Sequence, residues 1–111
     1  MNFDNIYEIE ELEKIISDNL GVLVYFSTLK CSVGEALEPK VFELIKNDFP
    51  KITTYFVDMN AAPRLAAEYS VFVEPTILIF FDGKETLRKS RHISIHDLSS
   101  SISRIYRIAF N

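Results

Sequence analysis

Apolar residues recur at Ile9, Leu12, Ile15, Ile16 and Leu20, the spacing of a helix with one buried face. Glu8, Glu10 and Glu11 stand near its start, where carboxylates suit the positive end of the helix dipole. Gly21 is expected just past its end as a helix stop. The pattern then changes. Val22-Leu23-Val24-Tyr25-Phe26 is a near-continuous β-prone run, as in a central strand covered on both faces. Helical spacing returns at Val33, Leu37, Val41, Leu44 and Ile45, interrupted by Pro39. A proline inside a helix costs ~3 kcal/mol unless the helix bends, so a kink is expected there. Ile52–Val57 reads as the next strand, Pro63 as the first turn of a short helix through Tyr69, and Thr76–Phe81 as another buried strand. Asp82-Gly83 is a strong hairpin signal, and Lys84–Arg91 reads as an edge strand whose charges discourage edge-to-edge pairing. Ser94 and Asp97 form a capping box for a last helix lined by Ile95, Leu98, Ile102, Ile105 and Ala109, with Arg104 and Arg107 near its end. An extra strand around Phe3–Tyr7 is weakly signalled. This order predicts an α/β fold: a central mixed β-sheet with helices on both faces.

Composition narrows the classes of function. A chain of 111 residues is one domain, 1–111, able to bury a core without disulfides or metal. It is 48% hydrophobic and 25% charged, the balance of an ordinary globular protein. A net charge of −4 gives no support to a nucleic-acid or anionic-membrane partner. The N-terminal residues show neither a basic nor an apolar signal region, and the longest apolar runs are far too short to span a bilayer. A reducing cytoplasm is the expected setting.

The single cysteine, Cys31, cannot form an internal disulfide. A lone cysteine is most often a small buried hydrophobe. Its position argues otherwise, because it stands directly after the Val22–Phe26 strand and directly before a helix.

Three landmarks make the chain resemble the thioredoxin family over nearly its whole length. The first is that strand followed by Cys31, with Pro39 eight residues on, like the family's helix-kink proline. The second is Val57-Asp58-Met59-Asn60-Ala61-Ala62-Pro63 followed by Leu65–Val71, like the family's strand end and short helix. The third is Glu74-Pro75-Thr76 before a strand, like the family's x-Pro-Thr, whose proline is cis and faces the active cysteine. The resemblance implies a thioredoxin-like fold with Cys31 as the catalytic residue. It also implies a substrate-binding surface made of Ser32, Val33 and Gly34 beside the cysteine, of Phe72, Val73, Glu74 and Pro75, and of Arg91 and His92 at the rim. Phe72 has a second reading, as a core residue.

The departures from the family are as informative. The family's second, resolving cysteine falls at Gly34, and the tryptophan before its first cysteine at Lys30. The buried aspartate of the preceding strand falls at Tyr25, and its lysine neighbour at Phe56. The resolving thiol and the proton-handling pair are lost together, which argues against an efficient general disulfide reductase. Cys-Ser-Val-Gly does not match the Cys-Gly-Phe-Ser of monothiol glutaredoxins either, and no cofactor is expected.

A thiolate is the reactive form of cysteine. The helix N-terminus, Lys30, Arg91 and His92 favour it. Glu35 and Glu74 oppose it, with Glu74 and Arg91 placed to pair. His92 and His96 lack a third ligand, so no metal site is expected. Arg88, Lys89, Arg91 and His92 make a short basic patch, read as protection of the edge strand. Two functions follow. One is thiol–disulfide chemistry through one cysteine, with a protein thiol or disulfide or glutathione as partner. The other is a non-catalytic module that binds a protein partner in the groove around Cys31 and Pro75. The chain is expected to be a monomer or a Cys31-linked dimer.

Overall fold

The computed structural model describes residues 3–110. Five strands alternate with four helices: β1 (Asp4–Asn5), α1 (Ile9–Asp18), β2 (Gly21–Ser27), α2 (Ser32–Asp48), β3 (Thr53–Asp58), α3 (Pro63–Glu68), β4 (Thr76–Phe81), β5 (Lys84–Ser90) and α4 (Ile95–Ala109). They form one sheet in the order β1-β3-β2-β4-β5. The pairs β1–β3 and β2–β3 are parallel, whereas β2–β4 and β4–β5 are antiparallel. The weakly signalled first strand is therefore real, though only two residues long.

The uninterrupted apolar run of β2 has a direct cause. The strand lies at the centre of the sheet, and all seven of its residues are buried. Its side chains alternate between two cores. Leu23 and Tyr25 join Leu37, Val41 and Ile45 of α2 and Leu98 and Ile102 of α4 on one face. Val22, Val24 and Phe26 join Leu12 and Ile16 of α1 and Leu65 of α3 on the other. Helices thus cover both faces, and Cys31 is delivered where the central strand ends and α2 begins. Among the described residues no helix is long and apolar enough to cross a membrane.

Several local features of the chain have direct physical causes. Asp82 and Gly83 take φ of 54° and 78°, the paired positive values of a two-residue hairpin turn. Ser94 Oγ accepts from the Asp97 N–H at 3.2 Å, capping α4. Pro39 lies inside α2, which runs from Ser32 to Asp48 across it. Gly21 needs correcting. The cap of α1 is Asn19 in an extended conformation, and Gly21 opens β2 rather than ending the helix. Its missing side chain makes room for a ring, since a Cβ there would stand 3.0 Å from Phe110.

Candidate functional site

Cys31 is the N-cap of α2. Its extended backbone (φ −81°, ψ 107°) turns the chain into the helix, and its carbonyl accepts from the Glu35 N–H at 2.8 Å. Its sulfur accepts from the Gly34 N–H at 3.3 Å, the place an oxygen usually holds in a helix cap. A sulfur so placed faces the free N–H groups at the start of a 17-residue helix. The residue is half-buried and its thiol is free.

The sulfur opens onto a groove of about 670 Å³. Of the residues anticipated from sequence, Val33, Phe72, Val73, Glu74 and Pro75 line it with Cys31, and Arg91 and His92 close the rim. Thr28, Met59 and Asn60 also line it and were not anticipated. They come from the loops after β2 and β3, which the parallel pairing of those strands brings side by side. Their sequence signal is topological: the loop after a parallel neighbour ends at the same edge of the sheet. Ser32 and Gly34 do not line the groove. Ser32 is exposed, and Gly34 is buried on the opposite side of the turn.

The far wall is built by backbone. The Glu74–Pro75 peptide is cis. The Pro75 carbonyl accepts from the Arg91 N–H at 2.8 Å, with Arg91 at φ 62°. Thr76 Oγ1 donates to the Val73 carbonyl at 2.8 Å, holding the loop in a turn. Phe72 does not tuck into the core: it is 74% exposed, and with Val33 at 56% it sets apolar surface along the groove beside Cys31. Glu74 and Arg91 do not pair; the ion pairs among the described residues are Lys14–Asp18 and Arg88–Glu85. Arg88 is turned away from the groove. It binds Glu85 and donates to the Tyr69 and Ser70 carbonyls, tying β5 to the end of α3. Glu85 is held below its ordinary range by the hydrogen bonds from Arg88. No three potential metal ligands gather among the described residues.

Behind the sulfur the turn is packed differently. Tyr25 is fully buried, and its hydroxyl donates to the Gly34 carbonyl at 2.7 Å. Burial, then the Glu38 carboxylate, then Cys31 push this phenol far above its ordinary range, so it remains a neutral donor. Its ring stacks on Phe56 at 6.0 Å. A smaller cavity of about 290 Å³ lies here, with Ser27, Gly34 and Phe56 in its wall. Ser27 Oγ is buried and has no hydrogen-bond partner.

Known proteins place this arrangement. A family model described as Thioredoxin matches residues 5–104. The chain is 27% identical to the thioredoxin-like protein YdfQ of Bacillus subtilis over 103 residues, covering 93% of this chain and 91% of the relative. It is 36% identical to a thioredoxin of Chlamydia trachomatis over 84 residues, 76% of this chain and 78% of that one. The X-ray structure of Fasciola hepatica thioredoxin superposes with a TM-score of 0.82 at 30% identity, covering 91% of this chain and 97% of that chain. With the sheet order, the cysteine at the strand-to-helix junction and the proline loop facing it, these matches make the chain a member of the thioredoxin family, the thiol–disulfide redox proteins.

Proposed function

We propose that this chain carries out thiol–disulfide exchange with Cys31 alone. The observation that carries the reading is the Cys31 sulfur itself. It is half-exposed, caps a long helix, accepts a backbone N–H at 3.3 Å and opens onto a groove. In the first step the Cys31 thiolate attacks one sulfur of a disulfide. A mixed disulfide forms, and the other sulfur leaves as a thiolate. Gly34 offers no second thiol, so an external thiol attacks the mixed disulfide and Cys31 leaves as a thiolate. The proposed partner is a protein thiol or disulfide, or glutathione, and the proposed setting is the reducing cytoplasm, where a lone thiol stays reduced.

One observation favours a second reading. The exposed ring of Phe72 beside Val73 and Pro75 offers an apolar contact for an extended peptide, with or without covalent chemistry. A peptide-disulfide reporter separates the two. Under the first reading the native chain releases one equivalent of reporter thiol and stops, then turns over when reduced glutathione is supplied, and Cys31→Ser releases none. Reporter binding that is unchanged in Cys31→Ser, with no thiol released by the native chain, would establish the binding module instead.

A further inference from the structure

Ser27 ends the central strand beneath the first turn of α2. It is 1% exposed, and among the described residues its Oγ is the buried side-chain polar atom with no partner. A buried hydroxyl left unpaired is costly, and its persistence calls for a use. Its surroundings suggest one. A Cβ added to Gly34 would stand inside the contact distance of Ser27 Oγ, 3.2 Å from Ser27 Cβ and 3.4 Å from Cys31 Sγ. The Ser27 hydroxyl and the Cys31 sulfur therefore border the same small volume, the one a residue-34 side chain would enter. Tyr25, the other hydroxyl beneath this turn, is already committed to the Gly34 carbonyl.

We infer that Ser27 serves Cys31 in place of the missing second side chain, donating its hydroxyl hydrogen to the reacting sulfur when that sulfur carries charge. The neutral thiol is a weak acceptor, which leaves the hydroxyl idle in the resting state. The thiolate is a strong acceptor, and a charge-assisted bond is shorter and stronger than a neutral one. The charge appears twice in the cycle. Cys31 carries it when it attacks the substrate disulfide, and again when an external thiolate displaces it from the mixed disulfide. At both points the Gly34 N–H and the Ser27 O–H would act together, with no proton transferred from Ser27. The inference rests on the proposal that Cys31 is a nucleophile.

The test compares the native chain with Ser27→Ala and Ser27→Thr. It reads the ultraviolet absorbance of the thiolate at neutral pH, the rate of alkylation by iodoacetamide, and the rate at which reduced glutathione frees Cys31 from its glutathione mixed disulfide. Loss of one charge-assisted donor lowers the thiolate population by about tenfold. Alkylation falls less, by about threefold, because a more basic thiolate is also a better nucleophile. Release from the mixed disulfide slows by a similar factor, since Cys31 becomes a poorer leaving group. Ser27→Thr keeps the hydroxyl and restores most of each loss. Ser27→Ala is also expected to melt no lower than the native chain, because it deletes an unpaired buried group. A fall in reactivity without a fall in stability supports the inference. Native-like reactivity in Ser27→Ala would overturn it while leaving the Cys31 reading intact, as would failure of Ser27→Thr to restore reactivity in a normally melting protein. A native chain that forms no mixed disulfide would overturn the Cys31 reading and this inference together.

Discussion

The two sides of the first turn of α2 are built on opposite terms. On the groove side lie an accessible sulfur, exposed apolar side chains at Val33 and Phe72, and charges at Glu74 and Arg91 that form no ion pair with each other. This side spends little on its own stability and is open to a partner. On the buried side, Tyr25, Phe56 and Gly34 are closely packed, a phenol donates to the helix backbone, and the carboxylates of Glu35 and Glu38 stand in the wall of the adjoining cavity. That is where the family places its buried aspartate, its lysine neighbour and its second thiol. The contrast teaches that partner contact and proton handling are separable parts of one turn. Here the open groove surface is present, while Tyr25 and Gly34 stand where the family has its buried aspartate and second thiol.

The most severe way to break this contrast is to return an acid to the buried side. Tyr25→Asp would remove a stacked ring and the bond to Gly34, and would bury a carboxylate against Phe56 within range of the Glu38 carboxylate. Denaturant unfolding should show a loss of about 3–5 kcal/mol. Tyr25→Phe keeps the ring and deletes only the hydroxyl, and should lose about 1 kcal/mol. Similar losses for the two variants would refute the role given to packing.

The next largest effect concerns residue 34. Gly34→Cys drives a side chain into Ser27 and should cost about 1–3 kcal/mol. Ser27→Ala should relieve at least part of that cost, giving a coupling of about 0.5–3 kcal/mol in a double-mutant cycle. The double variant should also close a disulfide with Cys31 more readily than Gly34→Cys alone. Additive effects would separate Ser27 from residue 34.

On the groove side the signs reverse. Phe72→Ala should change stability by less than about 0.5 kcal/mol, because the ring is exposed. Affinity for an extended peptide disulfide should fall about tenfold, because aromatic anchors carry much of such binding. Equilibrium binding measured beside thermal melting would check both halves.

The smallest effect is a slope with pH. The Tyr25 phenol is raised by burial above its ordinary value of 10.0. Its unfolded form therefore releases a proton at a pH where the folded form still holds one. The stabilisation is complete below about pH 10 and is lost as pH rises beyond it, at up to about 1.4 kcal/mol per pH unit for this one group. Unfolding free energies at alkaline pH should fall more steeply for the native chain than for Tyr25→Phe, and parallel slopes would contradict the assignment.

The fold was legible because its signals are local. The unbroken apolar run of β2 reports a strand covered on both faces, Asp82-Gly83 reports positive φ, and Ser94 reports a cap. Gly21 misled because a glycine between helix and strand serves either as a stop or as room for a distant ring, and only the position of Phe110 decides. The groove was legible as far as its segments carry motifs. Thr28, Met59 and Asn60 carry none and enter through strand pairing. Ser27 was invisible for a similar reason. A serine at a strand end is unremarkable until the turn that buries it is set against Gly34. Tyr25 and Gly34 each stood out in the sequence as departures, yet nothing in the sequence joins them by a 2.7 Å hydrogen bond.

The most direct measurement is the intact mass of the native chain after treatment with oxidised glutathione and removal of excess reagent. If Cys31 is a working nucleophile without a resolving partner, the chain gains one glutathione. It keeps that adduct until reduced glutathione is added, and Cys31→Ser gains none. A native chain that stays unmodified, or one that sheds the adduct without any added thiol, would contradict single-cysteine exchange.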